Sequence, residues 1–188
     1  MDKEELDGER IFLLNNFLTP QECLHFIAQT EEVGYEDAPI TTSIGFVMRK
    51  DVRSNDRVML DDEELARQLF ERARPLLPAT WFGWELCGFN ERFRFYRYDP
   101  GQHFAPHTDG YYENPKGERS HLTFMVYLNE GFEGGATTFE RGRESLEVVP
   151  RTGLALVFYH KLLHEGAVVE KGRKYVLRTD VMYRRAKS

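Results

Sequence analysis

Cysteine is scarce in this sequence of 188 residues, which contains only Cys23 and Cys87. Two cysteines outside any Cys-x-x-Cys arrangement exclude a disulfide framework and a cysteine-rich metal site, and they suit a reducing compartment. Long apolar runs are also absent, because no stretch approaches the roughly 20 residues of a membrane span. The first ten residues are too charged for a signal peptide. We therefore expect a cytoplasmic protein without a membrane partner.

Basic residues are outnumbered by acidic ones. Lysine and arginine number 25 against 31 aspartates and glutamates, so the formal net charge is −6 and the pI is about 5.6. A nucleic-acid backbone favours a basic protein surface, so we expect no nucleic-acid partner. Hydrophobic residues make up 41% of the chain and aromatic residues 13%. This composition supports a substantial core at a length typical of one domain.

The N-terminal half carries two helix signals. Thr19 can cap a helix, Pro20 suits its first position and Glu22 completes a capping box, which predicts a helix to about residue 32. A second amphipathic helix is predicted from about Asp62 to Arg74. Residues 1–10 are expected to be frayed. Short strands are predicted at Ile11–Leu14, Ile44–Met48 and Arg57–Leu60.

The hydrophobic period changes to two after Gly88. Between residues 92 and 98, arginine and tyrosine alternate with Phe93 and Phe95. Further strand patterns follow at His121–Asn129, Ala136–Glu140, Ser145–Val149, Leu154–Tyr159 and Lys174–Tyr183. Many short strands separated by glycine-rich or proline-containing turns indicate a sandwich or barrel. We expect one α+β, mainly β domain over residues 1–188, in which residues 1–85 support a β-core formed by residues 86–188.

One stretch contains residues suited to metal chemistry. His107 and Asp109 stand two positions apart, so on a β-strand their side chains point to the same face. A metal bound there needs a third ligand, for which His164 is the natural candidate. Two histidines and one carboxylate form the facial triad of non-haem Fe(II) oxygenases, which leaves positions open for a co-substrate and O2. His103 would share the strand face of His107 and is the alternative ligand.

From about Leu86 to Tyr183 the chain resembles the prolyl 4-hydroxylase-like branch of the Fe(II)/2-oxoglutarate oxygenases. The segment from Asn16 to Cys23 also resembles the start of a helix in that branch. The resemblance rests on the following matches: Tyr98, Gly101 and His107-x-Asp109; Thr123 and Tyr127-Leu128-Asn129; Gly134-Gly135-Ala-Thr-Thr-Phe139; and His164-Glu-Gly166, Val169 and Gly172-x-Lys174.

The resemblance implies a double-stranded β-helix, that is, a jelly-roll, cupin-like barrel with N-terminal helices packed on one sheet. It implies that the triad holds Fe2+, and that 2-oxoglutarate chelates the iron while its far carboxylate pairs with Lys174 and Tyr127. Tyr98 belongs to the family motif and is expected at the co-substrate. Arg178 lies four residues after Lys174, where strand alternation places it on the same face, and it is the second candidate anchor. Ascorbate is the expected reductant.

The expected reaction is hydroxylation of a prolyl residue in a protein or peptide, with release of succinate and CO2. The same chemistry on a free amino acid or small molecule is the alternative, and a non-catalytic cupin-like metal-binding sensor is a third possibility. Arg94 and Tyr96 are expected to contact substrate at the barrel mouth, although a solvated strand face would show the same pattern. Tyr111 and Tyr112 begin a polar loop, residues 110–119, that could act as a lid or be a solvated hairpin.

Overall fold

The structure, a computed structural model, describes residues 1–38, 40–42, 45–47, 49–142 and 144–186. Ile44 and Met48, the two ends of one predicted strand, lie outside these residues. Within the described ranges, no helix is both long and apolar enough to cross a bilayer.

Both predicted helices are present. Helix α1 spans Pro20–Val33 and helix α2 spans Glu63–Ala73, followed by a short 3₁₀ turn, Arg74–Leu76. The capping box of α1 is formed, because the Glu22 N–H donates to Thr19 Oγ1 at 3.2 Å and the Thr19 N–H donates to Glu22 Oε2 at 2.8 Å. The local sequence therefore determines where α1 begins.

The described part of the chain contains eighteen strands. They are β1 Asp2–Asp7, β2 Ile11–Asn15, β3 Glu36–Asp37, β4 Ile40–Thr42, β5 Gly45–Val47, β6 Asp56–Asp61, β7 Thr80–Trp81, β8 Trp84–Phe89, β9 Arg92–Tyr98, β10 Phe104–His107, β11 Arg119–Tyr127, β12 Glu133–Gly134, β13 Thr137–Arg141, β14 Glu144–Val148, β15 Ala155–Tyr159, β16 His164–Gly166, β17 Val169–Lys171 and β18 Lys174–Arg185. The five strands predicted after residue 120 are confirmed, each with bounds within two residues of the prediction.

These strands form a large and a small antiparallel sheet, together with the short pairs β12–β17 and β4–β5. The large sheet has the order β1-β2-β15-β11-β18-β9-β6-β3, and β8 pairs with both β18 and β7. The small sheet has the order β10-β16-β13-β14. Aromatic and aliphatic side chains from both sheets share one buried cluster, so the sheets face each other. The predicted mainly β jelly-roll is confirmed.

The first ten residues do not fray as expected. Strand β1 pairs antiparallel with β2, in a register that runs from Asp2 opposite Asn15 to Asp7 opposite Ile11. The reason is that β2 would be the border of the sheet without β1, and main-chain hydrogen bonds to its free edge require no apolar side chains. Strands from residues 1–85 therefore extend the large sheet, and this part of the chain is more than a helical layer.

Strand β9 shows how the large sheet separates two buried regions. Phe93 and Phe95 face the helices and pack in a cluster that includes Phe26 of α1. Tyr96 and Tyr98 face the opposite way, into the space between the two sheets. Burying an aromatic side chain contributes about 2–3 kcal/mol, so the helix-facing layer fixes the orientation of the strand. The tyrosine face is thereby held toward the barrel interior, where the candidate site lies.

Candidate active site

The predicted triad lies at the junction of two strands of the small sheet. His107 ends β10 and His164 begins β16, and the two residues are directly paired, with ring centroids 4.3 Å apart. Asp109 lies beyond the end of β10, so the expectation that it shares a strand face with His107 is wrong. The Asp109 N–H donates to the His160 carbonyl at 2.8 Å. This loop hydrogen bond, and not strand alternation, directs the carboxylate toward the two imidazoles.

The ligand atoms of the three residues converge. His107 Nε2 lies 3.7 Å from Asp109 Oδ1, and His164 Nε2 lies 3.8 Å from Asp109 Oδ2. One ligand atom from each residue can be chosen so that all three lie within 4.8 Å of one another. The alternative ligand His103 is not part of this group, and its Nδ1 lies 3.5 Å from Ser54 Oγ.

Backbone carbonyls orient both imidazoles. His107 Nδ1 lies 2.8 Å from the Ala105 carbonyl, and His164 Nδ1 lies 2.9 Å from the Leu162 carbonyl. A carbonyl oxygen only accepts, so each Nδ1 carries the proton and each Nε2 presents a lone pair. Burial, with the neighbouring His164, lowers the pKa of His107 to about 4, and burial also lowers the pKa of His164. Both rings are therefore neutral near pH 7, as metal coordination requires.

Asp109 is held as a carboxylate. Burial by itself would raise its pKa, but the charge of Arg178 and the two histidines together hold that pKa well below its usual range. Thr123 Oγ1 donates to Asp109 Oδ2 at 2.5 Å, and Arg178 Nη2 lies 3.0 Å from the same oxygen. Two neutral imidazole nitrogens and one ionised carboxylate match the donor set of a facial Fe(II) site.

A cavity extends from this cluster into the barrel. Its wall includes all three triad residues together with Tyr98 and Phe104. Lys174, only 2% exposed, lines it. Burial lowers the pKa of Lys174 to about 7, and its Nζ donates to the Gly135 carbonyl at 2.6 Å. The cavity therefore joins a candidate metal centre to a buried amine.

Comparison with known proteins identifies this arrangement. A family model described as the 2OG-Fe(II) oxygenase superfamily matches residues 93–179, a range that contains all three triad residues and Lys174. Over this range the chain is similar to that superfamily, whose description names Fe(II) and 2-oxoglutarate.

Its relatives are prolyl 4-hydroxylases. The chain is 25% identical to probable prolyl 4-hydroxylase 8 of Arabidopsis thaliana, covering 88% of this chain and 66% of the relative. It is 28% identical to prolyl 4-hydroxylase 13 of the same plant, and the alignment covers 89% of this chain and 69% of that relative. The chain spans about two thirds of the length of these curated relatives.

Solved structures of prolyl hydroxylases share the fold. A Pseudomonas putida prolyl-4-hydroxylase aligns with a TM-score of 0.68 at 19% identity, covering 94% of each chain. A Trichoplax adhaerens prolyl hydroxylase, solved in complex with a hypoxia inducible factor peptide fragment, aligns with a TM-score of 0.71 at 16% identity, covering 94% of this chain and 84% of the other.

The four residues expected at the co-substrate occupy different parts of the structure. Lys174 and Tyr98 line the cavity, with Lys174 Nζ 5.0 Å from the Tyr98 ring centroid. Tyr127 does not line it, and its hydroxyl donates to Thr137 Oγ1 at 2.7 Å. Arg178 lies four residues from Lys174, about 13 Å along a strand, and contacts the triad carboxylate. The two candidate anchors therefore lie at opposite ends of the cavity.

The four residues expected to contact substrate line a second, open groove, which has His107 and Asp109 of the triad in its wall. Arg94, Tyr96, Tyr111 and Tyr112 all belong to its wall, together with Arg53 and Arg57. The residue 110–119 segment folds back on itself, because the Ser120 N–H donates to the Tyr112 carbonyl at 2.8 Å. This segment borders the groove, and its action as a lid stays a prediction.

Sequence reasoning did not assign roles to several residues of the site. Phe104 stacks on His107 with ring centroids 3.6 Å apart and an interplanar angle of 16°. Arg53 packs behind it, with Cζ 4.5 Å from the Phe104 ring centroid. Thr123 was part of the matched motif, but its hydrogen bond to Asp109 joins strand β11 to the loop after β10. Phe104 lies between recognised motif residues in the sequence, whereas Arg53 does not.

Proposed function

We propose that this oxygenase hydroxylates a prolyl residue of a protein or peptide, consuming O2 and 2-oxoglutarate and releasing succinate and CO2. The observation that carries the proposal is the convergence of two neutral imidazoles and one carboxylate at the mouth of a cavity lined by a buried lysine. The two histidines and the aspartate alone, without the lysine, would suit a metal-binding sensor. The buried amine adds a counter-charge for a dicarboxylate co-substrate.

The metal ligands in this proposal are His107 Nε2, the Asp109 carboxylate and His164 Nε2. Bound Fe2+ and 2-oxoglutarate supply the oxidising chemistry, in which one atom of O2 enters succinate and the other enters a substrate C–H bond. The protein holds the ligand atoms in place before the metal arrives, through the carbonyls on both imidazole Nδ1 atoms and the Thr123 hydroxyl on Asp109. Preorganisation of this kind lowers the reorganisation required on binding.

Lys174 orients the co-substrate in this proposal. Its Nζ lies in a closed, partly aromatic environment, where an ammonium–carboxylate contact is stronger than in water. Tyr98 forms part of the same wall, and Tyr127 supports the wall through Thr137. The far carboxylate of 2-oxoglutarate would meet Lys174 while the keto-acid end points toward the triad. Water is excluded from this end because Lys174 is almost fully buried.

The substrate class follows from the relatives and from the groove. The curated relatives are named as prolyl 4-hydroxylases, and one structural neighbour was solved with a peptide of hypoxia inducible factor. The open groove runs past the triad, so an extended peptide could lie along it with its proline at the metal. Ascorbate as reductant, a cytoplasmic location and the absence of nucleic-acid and membrane partners remain predictions.

Succinate formation tests the reaction. The purified protein is incubated with Fe2+, ascorbate, 2-oxoglutarate and a peptide library, and succinate and peptide masses are measured. Asp109→Ala removes a proposed metal ligand and should abolish succinate formation. Asp61→Ala is a matched control, because Asp61 pairs with Arg92 in an exposed position, and it should keep activity. Wild-type succinate yields from Asp109→Ala would contradict the ligand assignment.

The same reactions distinguish the substrate classes. A peptide mass increase of one oxygen atom, located to proline by fragmentation, supports the proposed function. Oxidation of a free amino acid with no oxidised peptide would replace it with the small-molecule alternative. Absence of succinate under every condition would favour a sensor without turnover.

A further inference from the structure

The open groove that runs past the triad carries a concentration of positive charge. Four arginines line it: Arg53, Arg57, Arg94 and Arg178. The only carboxylates in its wall, within the part of the chain described, belong to Asp109 and Asp180. Asp109 is a proposed metal ligand, so its charge is shared with the metal. The protein as a whole carries a formal charge of −6, which makes this concentration of guanidinium groups a local exception.

Arg53 is buried without a carboxylate partner among the described residues. It is 6% exposed, and its guanidinium lies between two aromatic rings, with Cζ 4.6 Å from the Tyr96 centroid and 4.5 Å from the Phe104 centroid. Its Nε donates to Asn55 Oδ1 at 2.8 Å, but its buried Nη2 has no hydrogen-bond partner among the described residues. A buried charged donor left unsatisfied is costly. A ligand anion in the groove would remove this cost.

The other three arginines have few carboxylate partners among the described residues. Arg57 lies opposite Glu36 of strand β3 without an ion pair to it, although the Glu36 charge acts to raise the pKa of Arg57. Arg94 Nη1 lies 3.3 Å from Asp180 Oδ2, and Arg178 Nη2 lies 3.0 Å from Asp109 Oδ2 and 3.6 Å from Asp180 Oδ1. Since Asp109 is a proposed metal ligand, Asp180 is the one other carboxylate in the described groove wall for both arginines. By contrast, Arg97, which lies outside the groove, forms ion pairs with two carboxylates, those of Asp56 and Glu31.

The pKa of Tyr96 reflects the positive potential that these arginines create. Burial would raise the pKa of this tyrosine, but the guanidinium charges of Arg53, Arg178 and Arg94 outweigh burial and lower it to about 8. Burial lowers the pKa of Arg57, and the charges of Arg53 and Arg94 act in the same direction. The geometry of the arginines and the electrostatic response of their neighbours therefore agree.

We propose that this arginine groove binds a carboxylate of the substrate, so that the oxygenase selects prolyl substrates with an acidic group beside the target proline. The inference rests on the proposed function and specifies its substrate class. Lys174 supplies the proposed counter-charge for the co-substrate at the other end of the cavity, which leaves the groove cations for the substrate. Arginine forks suit bidentate carboxylate recognition.

The distances indicate where the acidic group lies. The Phe104 ring stacks on His107 on one side and contacts the Arg53 guanidinium on the other. Arg53 is thus separated from a proposed metal ligand by one aromatic ring. Since consecutive residues of an extended peptide are spaced by about 3.5 Å, the carboxylate belongs one or two residues from the oxidised proline. An acidic side chain or the α-carboxylate of a terminal proline could supply it.

Four short peptides test the inference. Three have blocked termini and place glutamate, glutamine or lysine on both sides of one proline, and the fourth is neutral and ends in proline with a free carboxylate. Binding to the anaerobic protein loaded with Fe2+ and 2-oxoglutarate is measured by fluorescence anisotropy, and hydroxylation by mass spectrometry. The glutamate peptide should bind at least about tenfold more tightly than the glutamine peptide, with the lysine peptide weakest. High salt should reduce the difference.

Arginine variants connect the preference to the groove. Arg57→Gln should reduce the glutamate-to-glutamine preference about tenfold, and Arg57→Lys should restore part of it because the charge is retained. Arg92→Gln is the matched control, since Arg92 pairs with Asp61 outside the groove and its loss should leave the preference unchanged. A stronger preference for the free-carboxylate peptide than for the glutamate peptide would assign the recognised group to the α-carboxylate.

The outcomes separate the two proposals. Equal affinity for the glutamate, glutamine and free-carboxylate peptides would overturn the carboxylate inference, whether or not any of them is hydroxylated. Equal hydroxylation of all three would overturn it while supporting prolyl hydroxylation. Tighter binding of the glutamate peptide without hydroxylation of any peptide would support carboxylate recognition and contradict the proposed function.

Discussion

Replacing Lys174 with methionine tests the co-substrate site most directly. The change removes the ammonium group and keeps an unbranched apolar side chain of similar length. In the wild-type protein Lys174 Nζ donates only to the Gly135 carbonyl among the described residues. We expect Lys174→Met to weaken 2-oxoglutarate binding roughly tenfold to a hundredfold, because a charge-assisted hydrogen bond contributes about 1.5–3 kcal/mol.

The same variant should be more stable than the wild type when no ligand is bound. Burial lowers the pKa of Lys174 from its ordinary 10.5 to about 7, which corresponds to an upper limit of about 5 kcal/mol against the buried ammonium. The pKa is lower in the folded than in the unfolded state. The wild-type free energy of unfolding is therefore lowest below pH 7 and rises as the pH increases from about 7 to 10.5. Lys174→Met should lack this contribution to the pH dependence.

The pH dependence of binding gives a third measurement. The carboxylate of 2-oxoglutarate requires protonated Lys174, so wild-type affinity should fall as the pH rises above about 7, approaching tenfold per pH unit. Calorimetric titration of the anaerobic Fe2+ protein measures this affinity, and urea denaturation measures the stability. Lys171→Met is the control, because Lys171 is exposed and pairs with Glu133. Unchanged 2-oxoglutarate affinity in Lys174→Met, with a large loss in Arg178→Gln, would reverse the two roles.

Two further predictions concern the fold and the groove. Gly153→Ala should lower the free energy of unfolding by more than about 2 kcal/mol, because Gly153 has φ +78° and an added Cβ would lie 2.0 Å from the Leu18 carbonyl oxygen. Gly142→Ala, with φ +67° and open space around the added Cβ, should cost less in urea denaturation, and equal losses would refute the steric argument. Shortening the 111–119 loop should reduce peptide hydroxylation more than substrate-free succinate formation. Equal reductions in both would argue against a lid.

Local sequence signals were sufficient for several elements. The capping box at Thr19 determined the start of α1 because its hydrogen bonds join residues three positions apart. The alternation after Gly88 predicted strand β9 and its two faces because successive side chains of a strand point in opposite directions. The spacing of His107 and Asp109, together with the family resemblance, also selected the three residues that the structure brings together as a candidate metal site.

Tertiary structure decided the contacts that give the site its chemistry. The orientation of Asp109 depends on a carbonyl at His160, and the choice of His164 over His103 depends on the pairing of β10 with β16. The pairing of β1 with β2 depends on an available sheet edge, which local hydrophobicity does not reveal. Arg53 and Arg178 meet the same groove from opposite parts of the chain. Periodicity specifies which face a side chain occupies, but its partners across the barrel exist only once the strands are paired.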